Sequence, residues 1–156
     1  MKKTKTCLGW CEWVQLPSLA IEAIAAKVDT GAKTCALHAD YIEPYTGADQ
    51  RPWVKFGFHA DETRPGLECH APLLEQRRVK NSSGQDEERY VIVTALTLGA
   101  KTFECEITLS DRSSMQFAML LGRNALCDRF IVDPARSYLL PRPAPLNNSD
   151  NSQEYA

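Results

Sequence analysis

The sequence predicts an all-β domain whose strands close into a barrel or pack as a sandwich. Three observations carry this prediction. Residues 102–109 alternate strictly between polar and apolar, residues 89–98 are rich in Val, Ile and Thr, and clusters of Gly, Pro, Asn, Asp and Ser cut the rest into short segments. The 156 residues fit one domain, and a hydrophobic share of 44% supplies a core.

Cys7 to Leu16 is aromatic and β-favouring, with Trp10, Trp13 and Val14, and reads as a strand ended by Pro17. Residues 19–28 stay open between two readings. Their alanines and Glu22 favour helix, yet the run is short, follows a Pro-Ser turn and feeds into Asp29-Thr30-Gly31. Residues 34–42 place Cys35, Leu37, Ala39 and Tyr41 opposite Thr34, Ala36, His38, Asp40 and Ile42, the pattern of a half-buried strand. Pro44 to Pro52 reads as a turn-rich connection, Trp53 to Phe58 as a short strand and His59 to Leu67 as a loop.

Cys69 to Lys80 is extended, Asn81 to Asp86 is a turn, and 76–92 forms a long hairpin with a polar tip. In 102–109, Phe103, Cys105, Ile107 and Leu109 oppose Thr102, Glu104, Glu106 and Thr108. After a turn at 111–114, Gln116 to Leu121 is apolar, Ala125 to Arg129 forms one or two helical turns, and Phe130 to Val132 and Ser137 to Leu140 are short strands. The domain so predicted covers 7–141, and a Pro-, Asn- and Ser-rich tail over 142–156 is expected to be disordered.

Charge and composition exclude several classes. A formal net charge of −2 gives no basic field for nucleic acid. The basic start Met1-Lys2-Lys3-Thr4-Lys5 is not followed by the apolar run of a signal peptide, because Glu12, Gln15 and Pro17 interrupt it. No stretch approaches a membrane span, so a soluble, cytoplasmic protein without a membrane partner is expected. Six cysteines are then expected to be thiols rather than disulfides.

The chemistry centres on Lys27-Val28-Asp29-Thr30-Gly31-Ala32. An apolar residue leads into an acid, a hydroxyl and a glycine, which places a carboxylate at a sharp turn where burial without partners is costly. Alone the triplet is a weak signal. Downstream, Met119-Leu120-Leu121-Gly122-Arg123-Asn124 repeats an apolar run into Gly-Arg-Asn. Together the two segments resemble the paired signatures of retropepsin-like aspartic proteases, with the hairpin between them where those enzymes carry a flap. Ala36-Leu37-His38-Ala39, Arg77-Arg78-Val79, Leu109-Ser110-Asp111-Arg112 and Val132-Asp133-Pro134 extend the similarity to a bacterial branch labelled ATP-dependent zinc proteases, often encoded near ATP-grasp amino-acid ligases. The resemblance covers about residues 8 to 140. It implies a closed β-barrel of the acid protease fold with a flap hairpin and one short helix, and it makes 19–28 a strand.

The resemblance also implies the chemistry. Aspartic proteolysis needs two carboxylates sharing a proton around one water. This chain has one such triplet, so the implied enzyme is a homodimer with Asp29 from each subunit. Thr30 would bond across the dimer axis, Gly31 would permit the turn and offer its amide, and Gly122, Arg123 and Asn124 would support the loop. Ala32 lacks the hydroxyl that pepsin-like sites commonly place there, which suits work nearer neutral pH. Lys33 stands where retroviral relatives typically have an acid that pairs with the arginine of Gly-Arg-Asn, so that ion pair does not carry over.

Substrate binding is assigned to Ala32, Lys33, Arg78, Lys80 and the tip residues Ser82, Ser83 and Gly84, which would close over a peptide. Lys33, Arg77, Arg78 and Lys80 would give a basic groove suited to acidic segments such as poly-glutamate tails, although Asp86, Glu87 and Glu88 at the tip oppose it. No cofactor is expected. No nucleotide motif is present, and Cys69, His70 and Cys105 lack zinc-ligand spacing, so a zinc-dependent protease is the weaker reading. The alternative from another class is a non-catalytic binding or dimerisation module on the same fold. His38 reads as a packed or hydrogen-bonded histidine rather than a ligand, and Trp10, Trp13 and Trp53 as packing residues.

Overall fold

A computed structural model describes residues 4–80 and 83–146. The chain is all-β with one short helix. Its strands are β1 (Thr6–Leu8), β2 (Cys11–Leu16), β3 (Ile21–Val28), β4 (Cys35–His38), β5 (Ile42–Thr46), β6 (Pro52–Phe58), β7 (Leu67–Lys80), β8 (Asp86–Leu98), β9 (Lys101–Ser110), β10 (Met119–Leu121) and β11 (Phe130–Val132). Helix α1 is the single turn Arg123–Leu126. Hydrogen bonding runs β2-β3-β10-β4-β9-β8 and returns to β2 through Gln15 opposite Thr97, which closes a six-stranded barrel. β7, β6 and β5 continue the sheet outward from β8, and β1 pairs in parallel with β11.

The barrel fills as alternation predicts. On β9, Cys105, Ile107 and Leu109 point into the core, while Thr102, Glu104 and Glu106 face solvent. Leu16, Leu37, Leu96 and Met119 meet them from other strands in one contiguous apolar cluster, whose removal from water drives closure. Residues 21–28 are a strand despite their alanines. β3 lies between β2 and β10 and gains ladder bonds on both edges, so tertiary pairing overrides the helical preference.

Several expectations are corrected. The strand read over 7–16 breaks at Gly9 and Trp10, whose amides turn away to the Glu12 carboxylate and the Arg136 carbonyl. The half-buried strand over 34–42 breaks after β4, with Ile42 already in β5, and all four β4 residues are buried, with β10 and β9 paired to its two edges. The connection read from Pro44 to Pro52 contains β5, paired with β6 from Ile42 opposite Phe56 to Thr46 opposite Pro52. β5 is the outermost strand, where Pro44 needs no ladder donor. Residues 137–140 form no strand, and Tyr138 takes a positive φ of 52°.

The segment 137–146 nonetheless packs on the barrel. Glu12 is fully buried and its carboxylate accepts the amides of Gly9 (2.8 Å), Leu139 (2.9 Å) and Leu140 (3.1 Å). Trp13 stacks on Tyr138, the Arg142 guanidinium lies over Trp13 at 4.4 Å, and Gln15 donates to the Ala144 carbonyl. Residues 142–146, read as the start of a disordered tail, thus have defined contacts, and 147–156 lie outside the described residues. No helix among the described residues is long and apolar enough to cross a membrane.

Candidate active site

The Asp29 loop forms where β3 runs out. The Asp29 amide still bonds the Leu121 carbonyl at 2.9 Å, continuing the parallel pairing with β10 by one residue. The chain then turns: Ala32 N–H donates to the Asp29 carbonyl at 3.2 Å, and Gly31 N–H donates to Asp29 Oδ1 at 2.9 Å. A side chain on Gly31 would place its Cβ 3.2 Å from that same oxygen, so glycine keeps the approach of amide to carboxylate unobstructed. Asp29 is half-buried, Thr30 and Gly31 are exposed, and Asp29 Oδ2 and the Thr30 hydroxyl have no partner among the described residues.

The second signature is bound to the first. A Cβ on Gly122 would lie 2.6 Å from the Thr34 carbonyl carbon, so only glycine lets the two loops cross. The first amides of α1, which a helix cannot satisfy itself, donate to this loop: Arg123 N–H to Ala32 O at 2.8 Å and Asn124 N–H to Lys33 O at 3.1 Å. Asn124 Oδ1 accepts Cys35 N–H at 3.0 Å, while its Nδ2 donates to Glu106 O at 2.8 Å. Arg123 Nη1 donates to the Thr30 carbonyl at 3.0 Å. Arg123 therefore reaches the loop through a backbone acceptor, and the arrangement needs no acid at position 33.

The other assigned residues divide. Ala32 is half-buried in the loop, and Lys33 is exposed with no ion pair among the described residues. Arg78 and Lys80 are exposed on β7, Ser83 and Gly84 are exposed at the hairpin tip with Gly84 at a φ of +81°, and Ser82 lies outside the described residues. The basic face expected on this hairpin is largely cancelled. Arg78 lies 4.0 Å from Asp86 and 3.7 Å from Glu88, and Arg77 pairs with Glu75 and, at 3.6 Å, with Glu106.

Cys69, His70 and Cys105 are not brought together as a metal set. Cys69 is buried with its thiol toward the Leu19 carbonyl, His70 bonds Tyr45 and Glu68, and Cys105 touches Cys35, with the two sulfurs 3.7 Å apart. All six cysteines are free. Burial pushes the Cys69 thiol up to about 12, whereas contact with Cys105 and the Gly122 amide hold Cys35 below the ordinary thiol value despite burial. A cavity of about 490 Å3 lies elsewhere, between β3 and Arg142, Pro143 and Pro145.

His38 is packed and hydrogen-bonded as expected, but sequence reasoning did not find the network it belongs to. His38, buried on β4, accepts the Arg112 amide on Nδ1 at 2.9 Å and meets Asp40 Oδ1 through Nε2 at 2.7 Å. Because the amide can only donate, Nδ1 carries a lone pair and Nε2 carries the proton given to Asp40. His59 Nδ1 meets the other Asp40 oxygen at 2.8 Å. Burial raises the Asp40 carboxyl, but the bonds from His59 and His38 outweigh it and leave it below the usual carboxylate value. His38, Asp40 and His59 have the atom types and spacing of a metal set, but a ring already bonded at both nitrogens has no lone pair left for an ion. The network instead fixes the 111–118 loop that carries Arg112. The only sequence signal was His38 at a polar position of an otherwise apolar strand.

The chain is similar to known proteins in sequence and fold. Residues 7–143 match the family described as retropepsin-like aspartic endopeptidase RimB. The chain belongs to the RimB-like family. A crystal structure of a Legionella pneumophila protein of unknown function has the same fold, with a TM-score of 0.74 and 26% identity over 87% of this chain and 98% of that one. The chain is also 39% identical over 142 residues to a probable alpha-L-glutamate ligase of Shewanella pealeana, and 45% identical over 133 residues to one of Desulfotalea psychrophila. Those matches cover 90% and 84% of this chain but only 31% and 28% of the relatives' lengths, so the chain spans less than a third of either relative.

Proposed function

We propose that this chain is a homodimeric aspartic endopeptidase in which Asp29 from each of two copies holds the attacking water. The observation that carries this reading is the state of Asp29. One carboxylate oxygen is fixed by the Gly31 amide, the other has no described partner, and the loop around it is locked to Gly122, Arg123 and Asn124. One carboxylate cannot serve as acid and base at once, and two sharing a proton can. One Asp29 takes a proton from water as its oxygen attacks the scissile carbonyl, and the other protonates the carbonyl oxygen. Collapse of the tetrahedral intermediate breaks the C–N bond, the leaving nitrogen takes the proton that the first Asp29 drew from water, and the second Asp29 recovers its own from the former carbonyl oxygen. Thr30, exposed beside Asp29, would join the two loops, and the β7–β8 hairpin would cover the peptide.

The substrates proposed are acidic, glutamate-containing segments. Support comes from the relatives named probable alpha-L-glutamate ligases, which carry a region similar to this chain within a longer protein. A domain beside a glutamate-adding activity is suited to cutting what that activity makes.

The test is a peptide library of glutamate-rich and neutral sequences, incubated with the protein in excess chelator and read by mass spectrometry. Cleavage that persists in chelator is expected. Cleavage lost in chelator would indicate a metal mechanism, and none under any condition would leave a binding module.

A further inference from the structure

With Arg77 and Arg78 on the hairpin paired to acids, Lys33, Lys80 and Arg112 are the cations to weigh for reading a substrate, and of these three Arg112 presents a guanidinium fork. Arg112 lies in the loop between β9 and β10, and β10 is the strand whose end bonds the Asp29 amide. Its amide is held by His38 and its Nε donates to the Phe117 carbonyl at 3.3 Å, so both ends of the residue are fixed. Its two terminal nitrogens have no partner among the described residues, and neither is sealed from solvent. Asp29 is near enough to act on it electrostatically but makes no ion pair with it. Arg89, on β8, adds a second positive charge, and its buried Nε has no hydrogen bond, although Glu87 approaches it to 3.5 Å.

A half-buried guanidinium with an open fork is a costly arrangement unless a ligand completes it. A carboxylate completes it with two parallel charge-assisted bonds. Burial and the charge of Arg89 lower the proton affinity of Arg112, and Asp29 partly offsets this.

We infer that Arg112, backed by Arg89 and positioned by the His38–Asp40 pair, is the substrate-binding residue that takes the side-chain carboxylate of a glutamate flanking the scissile bond. This rests on the proposed peptidase reading for the identity of the ligand, and it assigns specificity to the 111–118 loop rather than to the hairpin. A neutral glutamine at the same substrate position would leave the fork half-satisfied and bind more weakly.

The experiment compares peptides that differ only by Glu or Gln near the cleavage point. Hydrolysis is measured with wild type, and binding by fluorescence anisotropy with the Asp29→Asn protein. Wild type is expected to favour Glu over Gln by about 10-fold or more in kcat/KM, mostly through KM. Arg112→Gln is expected to bring that ratio to about one, mostly through a higher KM for the Glu peptide. Arg112→Lys keeps the charge without the fork and is expected to give a ratio between the two. It carries the comparison if the glutamine variant fails to fold. An unchanged ratio in both variants overturns the inference, as does wild-type hydrolysis with no preference, which leaves the peptidase reading standing. Absence of hydrolysis, with a Glu preference in binding that Arg112→Gln abolishes, supports the site and sinks the peptidase reading instead.

Discussion

Asp29→Asn is expected to lower peptide hydrolysis by about 10²- to 10⁴-fold, the usual contribution of a positioned acid–base group. Asparagine has the same shape, and its Oδ1 can still accept the Gly31 amide, so the loop keeps its supports from Arg123 and the first turn of α1. What is lost is the group that can take a proton from water. A partly exposed isosteric change of this kind moves stability by about 0.5 kcal/mol or less. Steady-state rates and thermal melts on the same preparations separate the outcomes. A large fall in rate at constant melting temperature is the expected result, and retained activity would remove Asp29 from the chemistry.

Glu12→Ala has the largest expected effect on stability, a loss of about 3 kcal/mol or more. Three backbone amides, from Gly9, Leu139 and Leu140, lose their acceptor in the interior, and each unsatisfied group costs about 1–3 kcal/mol. The change also frees the segment whose Leu140 packs against the turn at Gly99. Glu12→Gln keeps the volume and one acceptor oxygen but turns an NH2 toward amide donors, so it is expected to fall between wild type and alanine. Urea unfolding at constant m reads the difference. A loss under about 1 kcal/mol for alanine would mean that those amides find water.

The Asp29 turn was legible as a carboxylate set before a glycine, whereas the Gly122-Arg123-Asn124 turn was read only through the resemblance to retropepsin-like proteases, and the crossing of backbones at Gly122 emerges only in the structure. The barrel was legible from alternation, above all in 102–109. Burial of polar residues by distant partners was not. Nothing local to Glu12 announces its burial, because its donors Leu139 and Leu140 come from the far end of the chain. β4 reads as half-buried because His38 is polar, yet Asp40 and the Arg112 amide satisfy it internally. Pro44 hid β5, since a proline argues against a strand until the strand is known to be an edge. Arg112 reads as one residue of a polar turn, and the bond that fixes its amide comes from His38 on another strand.

The claim that two copies of Asp29 make one site has a direct measurement. Wild type and Asp29→Asn protein are mixed in varied ratio at constant total concentration, exchanged to equilibrium and assayed on one peptide. If every active site needs two aspartates, activity falls as the square of the wild-type fraction, so about a quarter remains at an equal mixture. A linear fall, with about half remaining, would mean that each chain works with its own Asp29 alone and would contradict the account.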